Sequence, residues 1–359
     1  MKKINKTFIS NCITYALVIA AFVIMTVLMN AGMLTRSMKG QLVPICVYIV
    51  MAVSLNLTVG ISGELSLGHA GFMSVGAFTG AVAAAVFANG VADPTLRLIL
   101  SMIVGGVMAA IAGVIIGVPV LRLRGDYLAI VTLAFGEIIR NVLNCLYIAL
   151  DGKRLVFGFN TPLSQGLESI MAGNPFQIII NGPQGATING KLSTFTMGFV
   201  LVMVSLVVVL NLVNSRSGRA IMAIRDNRIA AESVGLSVTK YKMMAFVISA
   251  CLAGMAGALY SLNYSSVTAS KFKFDTSILV LVFVVLGGIG NIRGSVIAAA
   301  LLTVLPELLR AFNDYRMLIY AIVLILVMLV SNNARFKQLA EAVVNRIKGV
   351  KEEEGGAQR

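Results

Sequence analysis

The side chains able to do chemistry in this chain are few, and their spacing argues against most reactions. Gly185-Ala-Thr-Ile-Asn-Gly190-Lys191 has the glycine and lysine spacing of a phosphate-binding loop, but Leu192 stands where a Ser or Thr must reach Mg²⁺. No strand pattern precedes it. Gly288-Ile-Gly290-Asn-Ile-Arg-Gly294 resembles a dinucleotide fingerprint, but it carries one residue too many and sits in no βαβ unit. Cys12, Cys46, Cys145 and Cys251 are far apart, lie inside apolar runs and form no CxxC, so they read as small buried hydrophobes. Catalytic, cofactor-binding and metal-ligating residues are therefore not expected, and the energy for any work must come from a partner or a gradient. His69 is the only histidine. It invites a proton-relay role, yet with no second buried acid near it in sequence a hydrogen-bonded structural role is favoured. Glu137 and Arg140 are i, i+3 neighbours on one helical face, so an intramembrane ion pair is favoured over direct substrate contact.

The elements that must position these residues are membrane spans. Of the 359 residues 58% are apolar and 12% charged, and the mean hydropathy is +0.91. An ordinary soluble domain is about 25% charged. Apolar runs of spanning length fall near 12–34, 41–60, 66–89, 96–121, 127–150, 193–213, 243–263, 277–292, 296–312 and 316–331. The expectation is an all-α polytopic membrane protein of about ten transmembrane helices, with a transmembrane domain over 1–335 and a charged tail over 336–359. Lys2, Lys3 and Lys6 precede a first run too long for a signal-peptide core and followed by no small-x-small site, so an uncleaved first span is expected. The 34 glycines and absence of Trp fit close packing of helices.

The net charge of +14 would suggest nucleic acid in a soluble protein, but here the basic residues sit in short gaps between apolar runs, as topology signals do. With both termini cytoplasmic, 18 of the 29 Lys and Arg fall on the cytoplasmic side and ten on the other, as the positive-inside rule requires. That orientation puts a turn-rich loop, about 151–192, outside the membrane, and a polar loop with helical periodicity, about 214–242, inside it.

The inner loop contains Ser217-Gly-Arg-Ala-Ile-Met-Ala-Ile-Arg-Asp-Asn-Arg-Ile-Ala-Ala-Glu-Ser-Val-Gly235. Its interrupted apolar pattern fits a short helix at the membrane surface, whose small residues Ala230 and Ala231 suit docking into a partner's groove. A solvated basic loop that only fixes topology is the other reading. The segment Gly60 to Gly71 places four glycines and several polar side chains between two apolar runs. Irregular backbone at membrane depth is tolerated only where it is buried in protein or lines a watery cavity. A broken helix beside a translocation pathway would then involve Asn56, Ser62, Gly63, Ser66, Gly68 and His69. Its helix ends could offer N–H groups to a carboxylate and C=O groups to an ammonium. Tight packing or a cytoplasmic turn would explain the same glycines. Gly287, Gly288, Gly290 and Gly294 form a comparable second break.

Three longer stretches carry a family resemblance: Ser54 to Phe72, Gly125 to Arg140, and Val284 to Gly294. Together they resemble the branched-chain amino acid permeases of the LivM type in the LivH/LivM family, over about residues 45–330. Ala230-Ala231-x₃-Gly235 is similar to the loop by which ABC importer permeases dock on their ATPases. Ile229 departs from that pattern, which has Glu there. The resemblance implies the ABC importer permease fold, in the bacterial cytoplasmic (inner) membrane. It also implies a heterodimer with a homologous second permease, two cytoplasmic ATPase subunits that use ATP and Mg²⁺, and an extracytoplasmic substrate-binding protein. Ala230, Ala231 and Gly235 would be coupling positions. Urea or short-amide importers share the pattern. An ion-coupled secondary transporter is the rival outside it, and it would need intramembrane acids, of which Glu64 and Glu137 are the chief ones.

Overall fold

The computed structural model describes residues 6–33, 35–88, 90–123, 125–151, 154–159, 177–188 and 190–309, and a few positions between 315 and 325. The chain divides into two compact units, Met1–Thr303 and Val304–Arg359. All that follows concerns the first. The expected span at 316–331 and the tail 336–359 fall largely or wholly outside the described residues.

The helices are α1 (Lys6–Asn30), α2 (Arg36–Asn56), α3 (His69–Phe87), α4 (Pro94–Val120), α5 (Asp126–Asn144), α6 (Phe195–Asn214), α7 (Arg216–Asp226), α8 (Arg228–Ser233), α9 (Val238–Ser261), α10 (Phe274–Gly287) and α11 (Ile292–Leu308). Among the described residues six helices, α1 to α4, α6 and α9, are long and apolar enough to cross a membrane. This supports a polytopic membrane protein, but three of the other expected spans look different. α5 carries Asp126, Glu137 and Arg140, α10 is only 14 residues long, and α11 carries Arg293 and Glu307 within 17.

Local sequence sets the helix starts. Asp93 caps α4 by accepting from the Thr95 amide at 2.9 Å, with Pro94 at the first helical position, where its missing N–H costs nothing. In the core, α9 lies between α3 and α4, and the contact is built from small residues. A Cβ on Gly76 would come within 2.0 Å of the Gly254 carbonyl, and one on Gly257 within 2.0 Å of the Met73 carbonyl. Helices that lack a hydrophobic force pushing them together in lipid gain contact in this way. On its far side α4 exposes Ile99, Ile103, Val107, Ile111 and Ile115, a stripe at four-residue spacing that suits lipid. α2 is the most enclosed span, covered by α6, α9 and α10.

The expected fifth span over 127–150 is overturned at its end. The helix stops at Asn144, and Leu146–Asp151 forms β1, paired antiparallel with β2 (Arg154–Phe159) and β3 (Gln177–Asn181). With β4 (Ala186–Thr187) and β5 (Ser266–Val267) they make one sheet in the order β2-β1-β3-β4-β5. Tyr147, Ile148, Ala149 and Leu150 are all buried. A short apolar run buried on both faces gives the same pattern as the end of a buried helix, so periodicity could not separate the two.

The phosphate-loop lookalike falls in this sheet. Gly185 (φ +86°) closes the β3–β4 turn, accepting from the Asn181 amide at 2.9 Å, and a Cβ there would lie 2.2 Å from the Val267 carbonyl. The glycine answers a left-handed turn and a crowded strand, not a phosphate.

Candidate functional site

The structure brings the two glycine breaks into direct contact. Past Asn56, α2 continues as a single π-helical turn, Leu57–Ile61, and the chain then runs irregularly to Gly68. The second break, between α10 and α11, lies against that turn. Asn56 is fully buried; its Oδ1 accepts from the Gly290 amide at 2.9 Å and its Nδ2 donates to Ser295 Oγ at 2.9 Å. A Cβ on Gly60 would come within 2.3 Å of the Gly290 nitrogen. Asn56, expected on a pathway, is thus the pin that joins the two breaks. Ser295 and Gly290 are its partners, 239 and 234 residues away, which no local pattern reveals.

Ser62 and Ser66 are buried, and their hydroxyls have no partner among the described residues; the same holds for Thr58 Oγ1 in the π-turn. Buried polar atoms are nearly always satisfied, so three orphans along one short break mark a place where water or a passing solute completes the bonding. An open cavity of about 350 Å³ adjoins it, lined by Ser62, Gly63, Glu64, Asp126, Arg225 and Lys242 among others.

The start of α3 is less available than its sequence suggested. The Leu67 amide donates to Thr132 Oγ1 at 3.1 Å, the Ala70 amide to Ser277 Oγ at 3.0 Å, and the Gly71 amide to the Gly68 carbonyl at 2.9 Å. These N–H groups are satisfied by the protein itself and hold no carboxylate in this conformation. Gly68 serves helix crossing: a Cβ there would meet the Thr132 carbonyl at 2.0 Å.

His69 is buried, 2.8 Å by Nε2 from Ser54 Oγ and edge-on to Phe72. Ser54 Oγ gives its proton to the Met51 carbonyl at 2.9 Å, so the imidazole must be the donor, protonated at Nε2. That bond fits the structural role. Arg140 Nε donates to Glu137 Oε2 at 2.7 Å, making the expected pair, and Glu137 Oε1 also accepts from the Phe274 amide at 3.3 Å. The pair therefore ties α5 to the start of α10.

The inner loop folds as α7 and α8. Asn227 ends the first helix and caps the second, accepting from the Ala230 amide at 3.1 Å. α8 ends in a Schellman turn. The Leu236 amide donates to the Ala231 carbonyl at 3.1 Å and the Gly235 amide to the Glu232 carbonyl at 3.0 Å, with Gly235 at φ +85°.

Ala231 is only 4% exposed and packs with Ile224, Val238, Leu236 and Tyr241. Of the three expected coupling residues it faces inward and anchors the helix, whereas Ala230 and Gly235 lie on the surface. Beside them Ile229 and Val234 are 80% and 75% exposed. Two nearly bare aliphatic side chains on a six-residue helix in a polar loop form a surface prepared for contact.

An apolar helical bundle whose irregular, partly unsatisfied backbone lies inside membrane-length helices is the build of a membrane transport protein. The chain belongs to the family described as "Branched-chain amino acid transport system / permease component", whose model matches residues 37–328. It is 38% identical over 287 residues to the high-affinity branched-chain amino acid transport system permease protein LivM of Escherichia coli (strain K12), covering 79% of this chain and 66% of that one. It is 25% identical to the LivH permease of the same kind of system in Salmonella typhimurium, over 79% of this chain and 89% of the relative. It is also 26% identical to the ribose import permease RbsC of Escherichia coli, over 79% and 81%. The chain thus spans just under two thirds of the LivM relative's length. No solved structure matches it.

Proposed function

We propose that this chain is one transmembrane subunit of an ATP-driven ABC importer for branched-chain amino acids in the bacterial inner membrane, working by alternating access. The observation that carries the reading is the α7–α8 element: a capped helix with a bare aliphatic face on one side and, on the other, contact with the broken helices of the bundle. ATP and Mg²⁺ belong to two cytoplasmic ATPases, for which Ile229, Ala230, Val234 and Gly235 form the docking surface. A homologous second permease completes the pore, and an external binding protein delivers substrate. Ten spans with both termini inside place α8 on the ATPase side and the β-sheet outside, as this assembly needs.

Leucine, isoleucine and valine are proposed as substrates from the names of the LivM and LivH relatives. Because a ribose permease is also similar, the permease fold does not choose the substrate, and the binding protein is expected to do so. The test is uptake of radiolabelled leucine by cells expressing the full system. Competition by unlabelled isoleucine and valine, and none by urea or acetamide, is the expected result. Competition by urea alone would move the chain to the short-amide branch.

A further inference from the structure

The end of α2 and the docking element are fastened to each other by charge. Beyond the π-turn the helix stops at Ile61, so its last carbonyls lack intrahelical donors. One of them, Gly60 O, accepts from Arg225 Nη1 at 2.8 Å. A guanidinium there also meets the negative end of the helix dipole. The same side chain donates through Nε and Nη2 to Asp226 Oδ1 at 3.1 and 2.9 Å, which holds the fork in place. Its stem lies across Gly63, where a Cβ would come within 2.6 Å of Arg225 Cγ.

A second tie runs from the other flank of α8. Lys242, in α9, pairs with Glu64, and both side chains are largely buried, 14% and 12% exposed. Residues 60–64 are therefore gripped from the end of α7 and from the start of α9, the two segments between which α8 hangs. Gly60 touches Gly290, and Asn56 bonds to both Gly290 and Ser295, so a shift of the first break must displace the second.

We propose that Arg225, seconded by the Lys242–Glu64 pair, is the positioning residue that transmits displacement of α8 to the two breaks, so that the docking helix and the break segment move as one body. This rests on reading α8 as the ATPase-docking surface. Its guanidinium points away from the faces of Ile229 and Val234, so it acts on the bundle side of the joint.

The test uses the complete transporter in proteoliposomes, with three readouts: co-purification of the ATPases, ATP hydrolysis, and leucine transported per ATP hydrolysed. For Arg225→Gln we expect co-purification and hydrolysis as in the parent, with leucine per ATP reduced about tenfold or more. Arg225→Lys regains part of it, because an ammonium still donates to Gly60 O. Glu64→Lys and Lys242→Glu each lower the ratio, and the double exchange restores it.

An unchanged ratio in Arg225→Gln overturns the proposal. Should that variant fail to reach the membrane, the exchange pair decides: no recovery in the double variant over either single one also overturns it. Absence of the ATPases from the parent complex refutes the docking reading itself and takes this proposal with it. Loss of co-purification in Arg225→Gln alone refutes only the transmission role.

Discussion

Replacing Gly60 by Ala sets a methyl into the contact between the two breaks. That Cβ would lie 1.9 Å from Asn56 Oδ1, 2.3 Å from the Gly290 nitrogen and 2.7 Å from Gly290 Cα. Ordinary contacts are about 3.5 Å, so the backbones must part by roughly 1 Å. The 2.9 Å bond from the Gly290 amide to Asn56 cannot survive that separation. Overpacking costs about 1–3 kcal/mol and an orphaned buried amide about 1–3 more, so the loss is roughly 2–6 kcal/mol. Set against a typical stability of about 5–15 kcal/mol, this is a large share.

The assay is thermal unfolding in detergent followed by size exclusion, with Gly40→Ala, which meets nothing within 4 Å, as the control. Gly60→Ala is expected to lower Tm on the order of 10 °C and abolish uptake, while Gly40→Ala changes neither by much. A Gly60→Ala protein with the parent Tm and normal uptake would refute the claim that the breaks are packed on each other.

Ala231→Arg puts a charge into the small cluster with Ile224 and Val238, so the protein should be lost from the membrane fraction; Ala230→Arg should stay folded but lose its ATPases, as co-purification will report. Gly235→Ala should cost about 1 kcal/mol from the left-handed backbone, a small drop in Tm, whereas Gly235→Glu should also abolish ATPase binding. His69→Gln should keep the parent's pH profile of uptake between about pH 5.5 and 8, because the imidazole serves as a fixed donor to Ser54; a displaced profile would restore the relay role. Single cysteines at Ser62 and Ser66 should react with a water-soluble thiol reagent in at least one nucleotide state, and inertness in every state would remove them from the pathway.

Much of this was legible because lipid imposes strong patterns. Long apolar runs gave α1 to α4, α6 and α9 to within a few residues. The two glycine clusters stood out because glycine at membrane depth needs a reason. The sheet was not legible: Leu146 to Leu150 is apolar on both faces, and its partners β3 to β5 lie up to about 120 residues away. Asn56 was picked out by its polarity but given the wrong task, since Gly290 and Ser295 are brought to it only by tertiary packing. Ala231 was grouped with Ala230 by motif, yet adjacent helical residues face about 100° apart, and one is core while the other is surface. Arg225 was read only as polar surface, because its acceptor is a backbone carbonyl 165 residues earlier.

The central claim, that this chain is a pore subunit driven by another protein's ATP, is tested most directly by the energy source for uptake. Proteoliposomes holding the full complex and its binding protein should accumulate radiolabelled leucine only when ATP is supplied on the α8 side, and ionophores that collapse proton and sodium gradients should leave that uptake intact. Accumulation driven by a proton or sodium gradient without ATP would contradict the account.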